Sequence, residues 1–323
     1  MNGFVDMRVT LVGPLPPPWG GMANQTRQLA SLLGKEGARV SVVQVNPPYR
    51  PEWIGRVRVI RSWFRLAPYL ASLWRETRES HLMHVMANSG WSWHLFAAPA
   101  IWVASLRGVP VVVNYRGGEA EQFFQRSYRW VRPSLRRAAA VVVPSGFLQR
   151  VFSERGVPTR VVPNIIDLSR FSSTKGTSRD PSRPVIVVPR NLEPIYDIGT
   201  AIRAFALVSR RFPAARLIIA GSGPERARLE RLATDLGVAQ RTELTGGLDN
   251  ERMVDMYREA SVMLTPSLAD NMPISILEAL ASGVPVVSTD VGGVPFMVRH
   301  EREALLVPRG DAAAMAHAIE RLL

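Results

Sequence analysis

Two carboxylates, Asp270 and Glu278, lie on either side of a predicted helix start, with seven residues between them. Asn271 is suited to cap that helix, and Pro273 is suited to its first position, where the missing N–H costs nothing. Residues 274–282 then form a short, almost wholly apolar helix, which predicts that the helix is buried. A carboxylate accepts hydrogen bonds from hydroxyl groups, and a helix start offers free N–H groups to an anion. The pattern therefore favours a ligand that carries both hydroxyls and negative charge.

The same helix presents one narrow polar stripe, because Ser275, Glu278 and Ser282 recur at helical spacing. Gly283 suits the end of the helix, and residues 284–289 are typical of a buried parallel strand. One interpretation is that the stripe is solvated. The other is that it faces a ligand, since small serines allow close approach to the carboxylate.

This stretch resembles the nucleotide-sugar signature of the retaining glycosyltransferases of family 4, which have the GT-B fold. The signature has an acid, seven residues, Glu-Ala, and then a Gly-x-Pro-Val strand; here these are Asp270, Glu278-Ala279 and residues 283–286. The family usually has Glu at the first position, where this chain has Asp. The resemblance implies that Asp270 orients sugar hydroxyls and that Glu278 binds the ribose hydroxyls. It also implies donor contacts from the turn and first helical residue, namely Asn271, Met272, Pro273 and Ile274.

The start of the chain is typical of a doubly wound sheet. Residues 8–12 form a strand, a proline-rich loop leads to Gly20 and Gly21, and a helix over 22–33 is followed by a strand over 38–45. Glycines let backbone amides approach a ligand at a helix start. The loop resembles the family's first loop, which implies that Gly20 and Gly21 contribute to the donor site.

Arg116 follows a buried strand predicted over residues 109–115. Ligands of such sheets bind at the carboxyl ends of the strands. Many relatives have a histidine here that contacts the transferred sugar, and Arg116 takes its place in this chain. A guanidinium suits a phosphate or an acidic sugar, so we expect Arg116 on the acceptor or sugar side.

Arg190 follows the first strand of the second domain, at residues 185–188. In relatives an arginine at this place and a nearby lysine hold the donor diphosphate. Arg190 matches, but residues 191–199 contain no lysine, so Asn191 and Tyr196 are expected to replace it in part.

Two further segments complete the predicted donor site. A Gly-x-Gly-Pro turn follows the strand over residues 217–220, and it resembles the family's turn near the donor, which implicates Gly221 and Gly223. By the same resemblance, Leu248 lies near the nucleobase.

The resemblance implies an α/β protein of GT-B fold, with two Rossmann-like domains facing across a cleft. We expect an N-terminal acceptor-side domain over 1–171, a Ser- and Pro-rich linker over 172–184, and a C-terminal nucleotide-sugar-binding domain over 185–323.

The charge is unevenly distributed along the chain. Residues 1–168 hold 21 basic and 9 acidic residues, whereas 169–323 hold 19 and 18. A basic half favours an anionic partner, and an anionic membrane surface or a phosphate-bearing acceptor fits better than nucleic acid, for which no known signature is present.

Arginines and tryptophans mix over residues 53–78. One helical stripe consists of Trp63, Leu66, Leu70, Leu73 and Trp74. It either faces the core, with Pro68 interrupting the helix, or lies at a membrane interface. The arginines Arg56, Arg58, Arg61 and Arg65 accompany it.

Several classes of function are excluded or disfavoured by composition. The chain has no cysteine, which rules out disulfides and thiolate chemistry and fits a reducing compartment. Its longest apolar run is too short to span a bilayer, and its first residues do not resemble a signal peptide. We therefore expect a cytoplasmic protein that is peripheral on the inner leaflet.

The predicted reaction is transfer of a sugar from a nucleotide-diphosphate sugar to an acceptor, lipid-linked or a polysaccharide precursor, with retention. No Asp-x-Asp pair is present, so no metal site is predicted, and no cofactor is expected besides the donor substrate. Two alternatives stay open: a catalytically weakened GT-B-fold partner that binds sugar or nucleotide, and a GT-B epimerase or phosphorylase. A pyridoxal-dependent phosphorylase is disfavoured because Lys175 lies in the predicted linker.

Overall fold

The computed structural model describes residues 4–17, 20–47, 60–173 and 179–323. It divides into two compact units, residues 1–163 and 164–323. Each unit is a parallel sheet between helices, so the predicted α/β class is confirmed. The sequence places the first domain boundary after residue 171, a few residues beyond the boundary of the units. Phe171 explains the difference, because it is buried in the core of the second unit.

The first unit alternates strands and helices throughout. Its elements are β1 Arg8–Gly13, α1 Gly21–Lys35, β2 Arg39–Gln44, α2 Ile60–Glu76, β3 Leu82–Ala87, α3 Ala98–Leu106, β4 Val111–Tyr115, α4 Ala120–Leu135, β5 Ala140–Val143, α5 Gly146–Ser153 and β6 Arg160–Val161. The strands form one sheet in the order β2-β1-β3-β4-β5-β6, and every pair is parallel.

The second unit repeats this plan. Its elements are β7 Val185–Val188, α6 Ile198–Arg211, β8 Arg216–Ala220, α7 Arg226–Asp235, β9 Thr242–Gly246, α8 Asn250–Glu259, β10 Val262–Thr265, α9 Ile274–Ala281, β11 Val286–Thr289, β12 Leu305–Val307 and α10 Ala312–Leu322. The sheet order is β12-β11-β10-β7-β8-β9, again parallel. After β7, the strands β8 and β9 are added on one side of it, and β10, β11 and β12 are added on the other side. The strand order therefore reverses between β7 and β10, which is where doubly wound sheets bind ligands.

Two local predictions are wrong. Pro68 does not interrupt α2, which runs through it; Pro68 is exposed, so a backbone carbonyl left without its donor can face water. Asn271 does not cap α9. The helix begins at Ile274, as predicted, but Pro273 occupies the cap position in an extended conformation rather than the first helical position, with no side-chain capping bond.

Two loops at the carboxyl edge of the second sheet pack backbone against backbone. The Leu192 N–H donates to the Ser222 carbonyl at 3.1 Å, and the Glu225 N–H donates to the Leu192 carbonyl at 3.0 Å. A Cβ on Gly221 would overlap the Arg190 carbonyl, and one on Gly223 would overlap the Leu192 carbonyl. These glycines are therefore required for close packing of the loop that carries Arg190.

We predict that Gly221→Ala lowers the free energy of unfolding by about 1–3 kcal/mol, because the clash is with backbone atoms that have little room to move. The matched control is Gly247→Ala, since a Cβ there meets no heavy atom within 4 Å. It should change stability by less than about 0.5 kcal/mol. Urea unfolding of both variants measures the difference, and equal stabilities would contradict the packing role.

Candidate functional site

Arg190 and Asp270 meet where the strand order of the second sheet reverses. Arg190 lies two residues after β7, and Asp270 lies in the loop after β10, the strand paired with β7. Their side chains form an ion pair with 2.5 Å between Nη2 and Oδ2, and they are only 12% and 13% exposed. Both were predicted as site residues, and the fold brings them together.

The guanidinium of Arg190 is held from several sides. Its Nε and Nη2 donate to Thr265 Oγ1 at 3.3 and 3.2 Å, and it lies 5.2 Å from the centroid of the Tyr196 ring. Burial raises the pKa of the Tyr196 hydroxyl, so it is neutral and a donor at physiological pH. The position of the cation is therefore fixed before any ligand arrives.

Asp270 is also engaged beyond the ion pair. Its Oδ1 accepts the N–H of Asn271 at 2.9 Å, and its Oδ2 accepts from Ser267 Oγ at 3.4 Å. An ionised carboxylate has about four lone-pair directions, so acceptor capacity is left for a ligand hydroxyl. The carboxylate is thus oriented by three protein groups.

Hydrogen bonds from two other segments of the chain hold the turn before α9 in place. The Asn164 side chain donates to the Met272 carbonyl at 2.8 Å, and the Gly293 N–H donates to the Asp270 carbonyl at 3.0 Å. A Cβ on Gly292 or Gly293 would overlap the carbonyls of this turn. Because Pro273 is the cap and offers no side-chain acceptor, no side chain caps the first amides of α9. The region predicted to receive an anion therefore has its amides in a fixed backbone.

Glu278 lies on the buried side of α9. Ser275 and Ser282, which share its stripe, are 7% and 4% exposed, so the solvated interpretation of the stripe is wrong. The Ser275 Oγ is buried and has no hydrogen-bond partner within the described residues. The stripe thus places a half-buried carboxylate and a buried hydroxyl on the same side of α9.

Tyr257 orients the Glu278 carboxylate. Its hydroxyl is within donating distance of Glu278 Oε2 at 3.1 Å and of the Ser275 carbonyl at 3.3 Å, and its ring packs edge-on against Phe171. Burial raises the pKa of Glu278 to about 6, against the opposing effects of the Tyr257 hydrogen bond and the Arg190 charge. The action of Arg190 on this pKa places Glu278 in the same electrostatic environment as the ion pair.

The remaining predicted donor residues border this group. Asn191 is exposed beside Arg190, and Leu248 is half-buried against the core that contains Tyr257. Gly221 and Gly223 act through loop packing, as described above. Sequence reasoning missed Thr265, Ser267 and Tyr257. Thr265 is the last residue of β10 and Ser267 lies just after it, a position that could have identified both.

The first unit carries the other predicted site residues. Gly20 occupies the cap position of α1 and Gly21 begins the helix, and no side chain caps its first amides. A Cβ on Gly20 would meet nothing within 4 Å, so open space surrounds it within the described structure.

Arg116 lies at the carboxyl end of β4 as predicted. Its Nε donates to Asn114 Oδ1 at 3.1 Å, and burial lowers its pKa to about 10. Asn114 contacts His84 at 3.2 Å, and burial together with the Arg116 charge lowers the pKa of that imidazole to about 4. Arg116 is therefore cationic beside a neutral histidine, in a position suited to an anionic group.

Neither a metal-binding group nor a membrane-spanning helix occurs in the part of the chain that the structure describes. Among the described residues, no His, Cys, Asp and Glu side chains group in threes that could hold a metal ion. Within the same residues, every helix is too short or too polar to cross a membrane.

The chain is similar to known glycosyltransferases along both of its units. The model for glycosyl transferases group 1 matches residues 170–323, and the model for glycosyltransferase family 4 matches residues 19–170. The D-inositol 3-phosphate glycosyltransferase of Nocardia farcinica is 33% identical over 177 residues, which is 50% of this chain and 39% of that protein. The first curated relatives are thus matched over less than half of their own length.

Longer matches are more distant. The 2-deoxystreptamine N-acetyl-D-glucosaminyltransferase of Streptomyces fradiae is 27% identical over 88% of this chain and 73% of its own. The structure of sucrose-phosphate synthase from Thermosynechococcus elongatus superposes with a TM-score of 0.72 and 22% identity, over 98% of this chain and 89% of that chain. These findings confirm the predicted fold and family. Because the two family models together match residues 19–323, the chain belongs to the glycosyltransferases of family 4 and has two Rossmann-like halves of the GT-B type.

Proposed function

We propose that this glycosyltransferase moves a sugar from a nucleotide-diphosphate sugar to an acceptor with retention of the anomeric configuration. The observation that carries the proposal is the buried Arg190–Asp270 ion pair where the second sheet reverses its strand order, in the electrostatic environment of Glu278. Such a site combines a fixed cation with two carboxylates. This is the combination needed to hold a diphosphate together with two sets of hydroxyl groups.

Arg190 holds the diphosphate in this proposal. Its Nε and Nη2 are occupied by Thr265 and Asp270, while Nη1 donates no hydrogen bond within the described residues. Nη1 and the amides around Ile274 are therefore the donors available to phosphate oxygens, with Asn191 and Tyr196 beside them. As the nucleotide diphosphate departs, these groups stabilise its growing negative charge, which lowers the barrier without a lysine.

The carboxylates recognise the hydroxyl groups. Asp270 orients the transferred sugar, since its oxygens are already fixed by Arg190 and the Asn271 amide. Glu278 accepts from the ribose, with Tyr257 as the residue that positions it. Leu248 then lies on the side of the base. The contribution to rate comes from positioning and from preorganised charge.

The first unit supplies the acceptor side. Arg116 suits a phosphate or an acidic sugar there. The α1 amides after Gly20 and Gly21 instead suit the phosphates of the donor. We propose a lipid-linked acceptor or a polysaccharide precursor, used on the cytoplasmic side of the membrane at its inner leaflet.

The donor is identified by a thermal-shift panel of UDP-, GDP-, ADP- and dTDP-sugars. A donor present at about a hundred times its Kd stabilises the folded state by roughly 2.7 kcal/mol, so one base should raise Tm by several degrees. Release of the nucleotide diphosphate and the anomeric proton of the product, followed by NMR, then test transfer and retention. A panel in which nothing raises Tm would overturn the donor assignment. Binding without turnover would establish the alternative of a catalytically weakened partner.

We predict that Arg190→Lys lowers kcat at least about tenfold, because lysine keeps the charge but cannot contact Thr265, Asp270 and a phosphate at once. Alanine is a poorer probe, since it leaves Asp270 buried without its partner, at a cost of about 3–5 kcal/mol. The control is Arg203→Lys, a half-exposed arginine that also pairs with a carboxylate, Asp197. Equal kcat in the two folded variants would contradict the role of Arg190.

Glu278→Gln should weaken donor binding about tenfold, since an amide offers fewer acceptors to two ribose hydroxyls. It should also stabilise the free protein at neutral pH. The folded-state pKa of Glu278, about 6, is above its ordinary value of 4.5, so wild-type stability falls as pH rises between these values, by about 2 kcal/mol in total. A glutamine at this position does not ionise, so the variant does not lose this part of the free energy of unfolding.

Calorimetry with the donor and urea unfolding at pH 4.5 and 7.5 measure the two effects. Glu259→Gln, at an exposed position of α8, is the control and should change neither. A stability difference between Glu278→Gln and wild type that is the same at both pH values would contradict the burial of an ionised Glu278.

A further inference from the structure

Among the side chains that the structure describes, three neighbouring helices of the first unit each expose one tryptophan. Trp74 on α2, Trp102 on α3 and Trp130 on α4 are 47%, 38% and 65% exposed. Helix α3 contacts both α2 and α4, so the three rings belong to one helical layer. Large aromatic side chains on three adjacent helices are unusual on a surface that has only water to face.

An arginine guanidinium lies over each of these three tryptophan rings. Arg107 lies 3.8 Å from the centroid of Trp74, Arg137 lies 3.5 Å from that of Trp102, and Arg129 lies 5.0 Å from that of Trp130. The Trp102 Nε1 also donates to Ser134 Oγ at 3.0 Å. The cations are thus held at the level of the rings, where both can meet the same partner.

The arginines of α4 lack acidic partners. Five of them are exposed on and just after this helix, namely Arg126, Arg129, Arg132, Arg136 and Arg137. Within the described part of the chain, none lies at ion-pair distance from a carboxylate. In the second unit, by contrast, arginines such as Arg226 and Arg299 each form an ion pair with the glutamate four residues further along the chain. Five arginines without a carboxylate partner in the described residues therefore lie together on and just after α4.

Aliphatic side chains complete this surface. Leu106, at the end of α3, is 76% exposed, and Leu70, one turn before Trp74, is 41% exposed, whereas the adjacent Leu73 is fully buried. The stripe predicted over α2 is therefore divided: Leu73 faces the core and Trp74 faces outward. The predictions for Trp53, Arg56 and Arg58 concern residues outside the described part of the chain, and the side chains of Arg61 and Trp63 are not described either.

We propose that the outer face of α2, α3 and α4, defined by Trp74, Trp102, Trp130 and the α4 arginines, docks on an anionic phospholipid leaflet. Arginines bind lipid phosphates, and tryptophan rings suit the boundary between headgroups and acyl chains. A nucleic acid would satisfy the arginines but would leave Leu70 and Leu106 in water, so the leucines favour the leaflet. The inference deepens the proposed action on a lipid-linked acceptor and rests on it only for the identity of the membrane.

The test is co-sedimentation of the full chain with vesicles of phosphatidylglycerol and phosphatidylcholine in equal parts, against pure phosphatidylcholine. Binding should appear only with the anionic vesicles and should weaken steeply between about 50 and 300 mM salt. The triple change Arg129→Gln, Arg132→Gln, Arg136→Gln should lower the affinity about a hundredfold, because each basic residue beside the leaflet contributes somewhat under a tenfold factor. Trp130→Ser should lower it as well, and should remove a blue shift of tryptophan emission that the bound wild type shows.

The matched control is Arg210→Gln, Arg231→Gln, Arg309→Gln, which removes the same charge from exposed positions of the second unit. It should bind vesicles as the wild type does. Equal losses in the two triple variants would show an effect of net charge alone and would overturn the proposed face, as would absence of binding at low salt. Retention on heparin by a protein that ignores anionic vesicles would overturn the leaflet in favour of another polyanion. Donor binding is measured without vesicles, so failure of this proposal is distinguishable from failure of the proposed transfer.

Discussion

The site of the second unit depends on one buried ion pair, Arg190 with Asp270. The two residues are 80 positions apart in the chain, yet they follow strands that are hydrogen-bonded neighbours. Removing a cation or an anion from water is costly unless a partner of opposite charge is near, so each residue makes the burial of the other tolerable. The surrounding glycines serve the same end. Gly221 lets the neighbouring loop close on Arg190, and Gly293 lets another close on the Asp270 turn.

The pair also limits what the site does electrostatically. Arg190 and Asp270 sum to zero charge, and no lysine stands close in sequence to add a second cation. In the proposed function, a bound diphosphate would therefore be stabilised by directed hydrogen bonds from Arg190 and from backbone amides more than by net charge. Such bonds need fixed geometry. The contacts of Thr265 with Arg190 and of Asn164 with the Met272 carbonyl supply it from outside the signature.

What the sequence predicts well is what short-range physics determines. The strand of residues 185–188 and the buried α9 follow from local hydrophobic pattern, and the spacing of Asp270 and Glu278 needs only one helix and a turn. Tyr257 could not be found this way, because its contact with Glu278 depends on how α8 packs on α9. The capping prediction for Asn271 failed for a related reason. Tertiary contacts of the turn, including the Gly293 amide on Asp270, decide where the helix begins.

The charge asymmetry between the halves has a specific origin. Basic residues are nearly equal in number, 21 in residues 1–168 and 19 in residues 169–323, so a general preference for arginine cannot produce the asymmetry. The acids differ, 9 against 18. In the second unit the additional carboxylates lie beside arginines and form ion pairs, as with Arg226 and Glu230. In the first unit those carboxylates are missing, and five exposed arginines lie together on and just after α4 at the cost of mutual repulsion. The repulsion between these arginines destabilises the protein least when an anionic partner binds them. The two units therefore differ in their number of acidic residues rather than in their number of arginines.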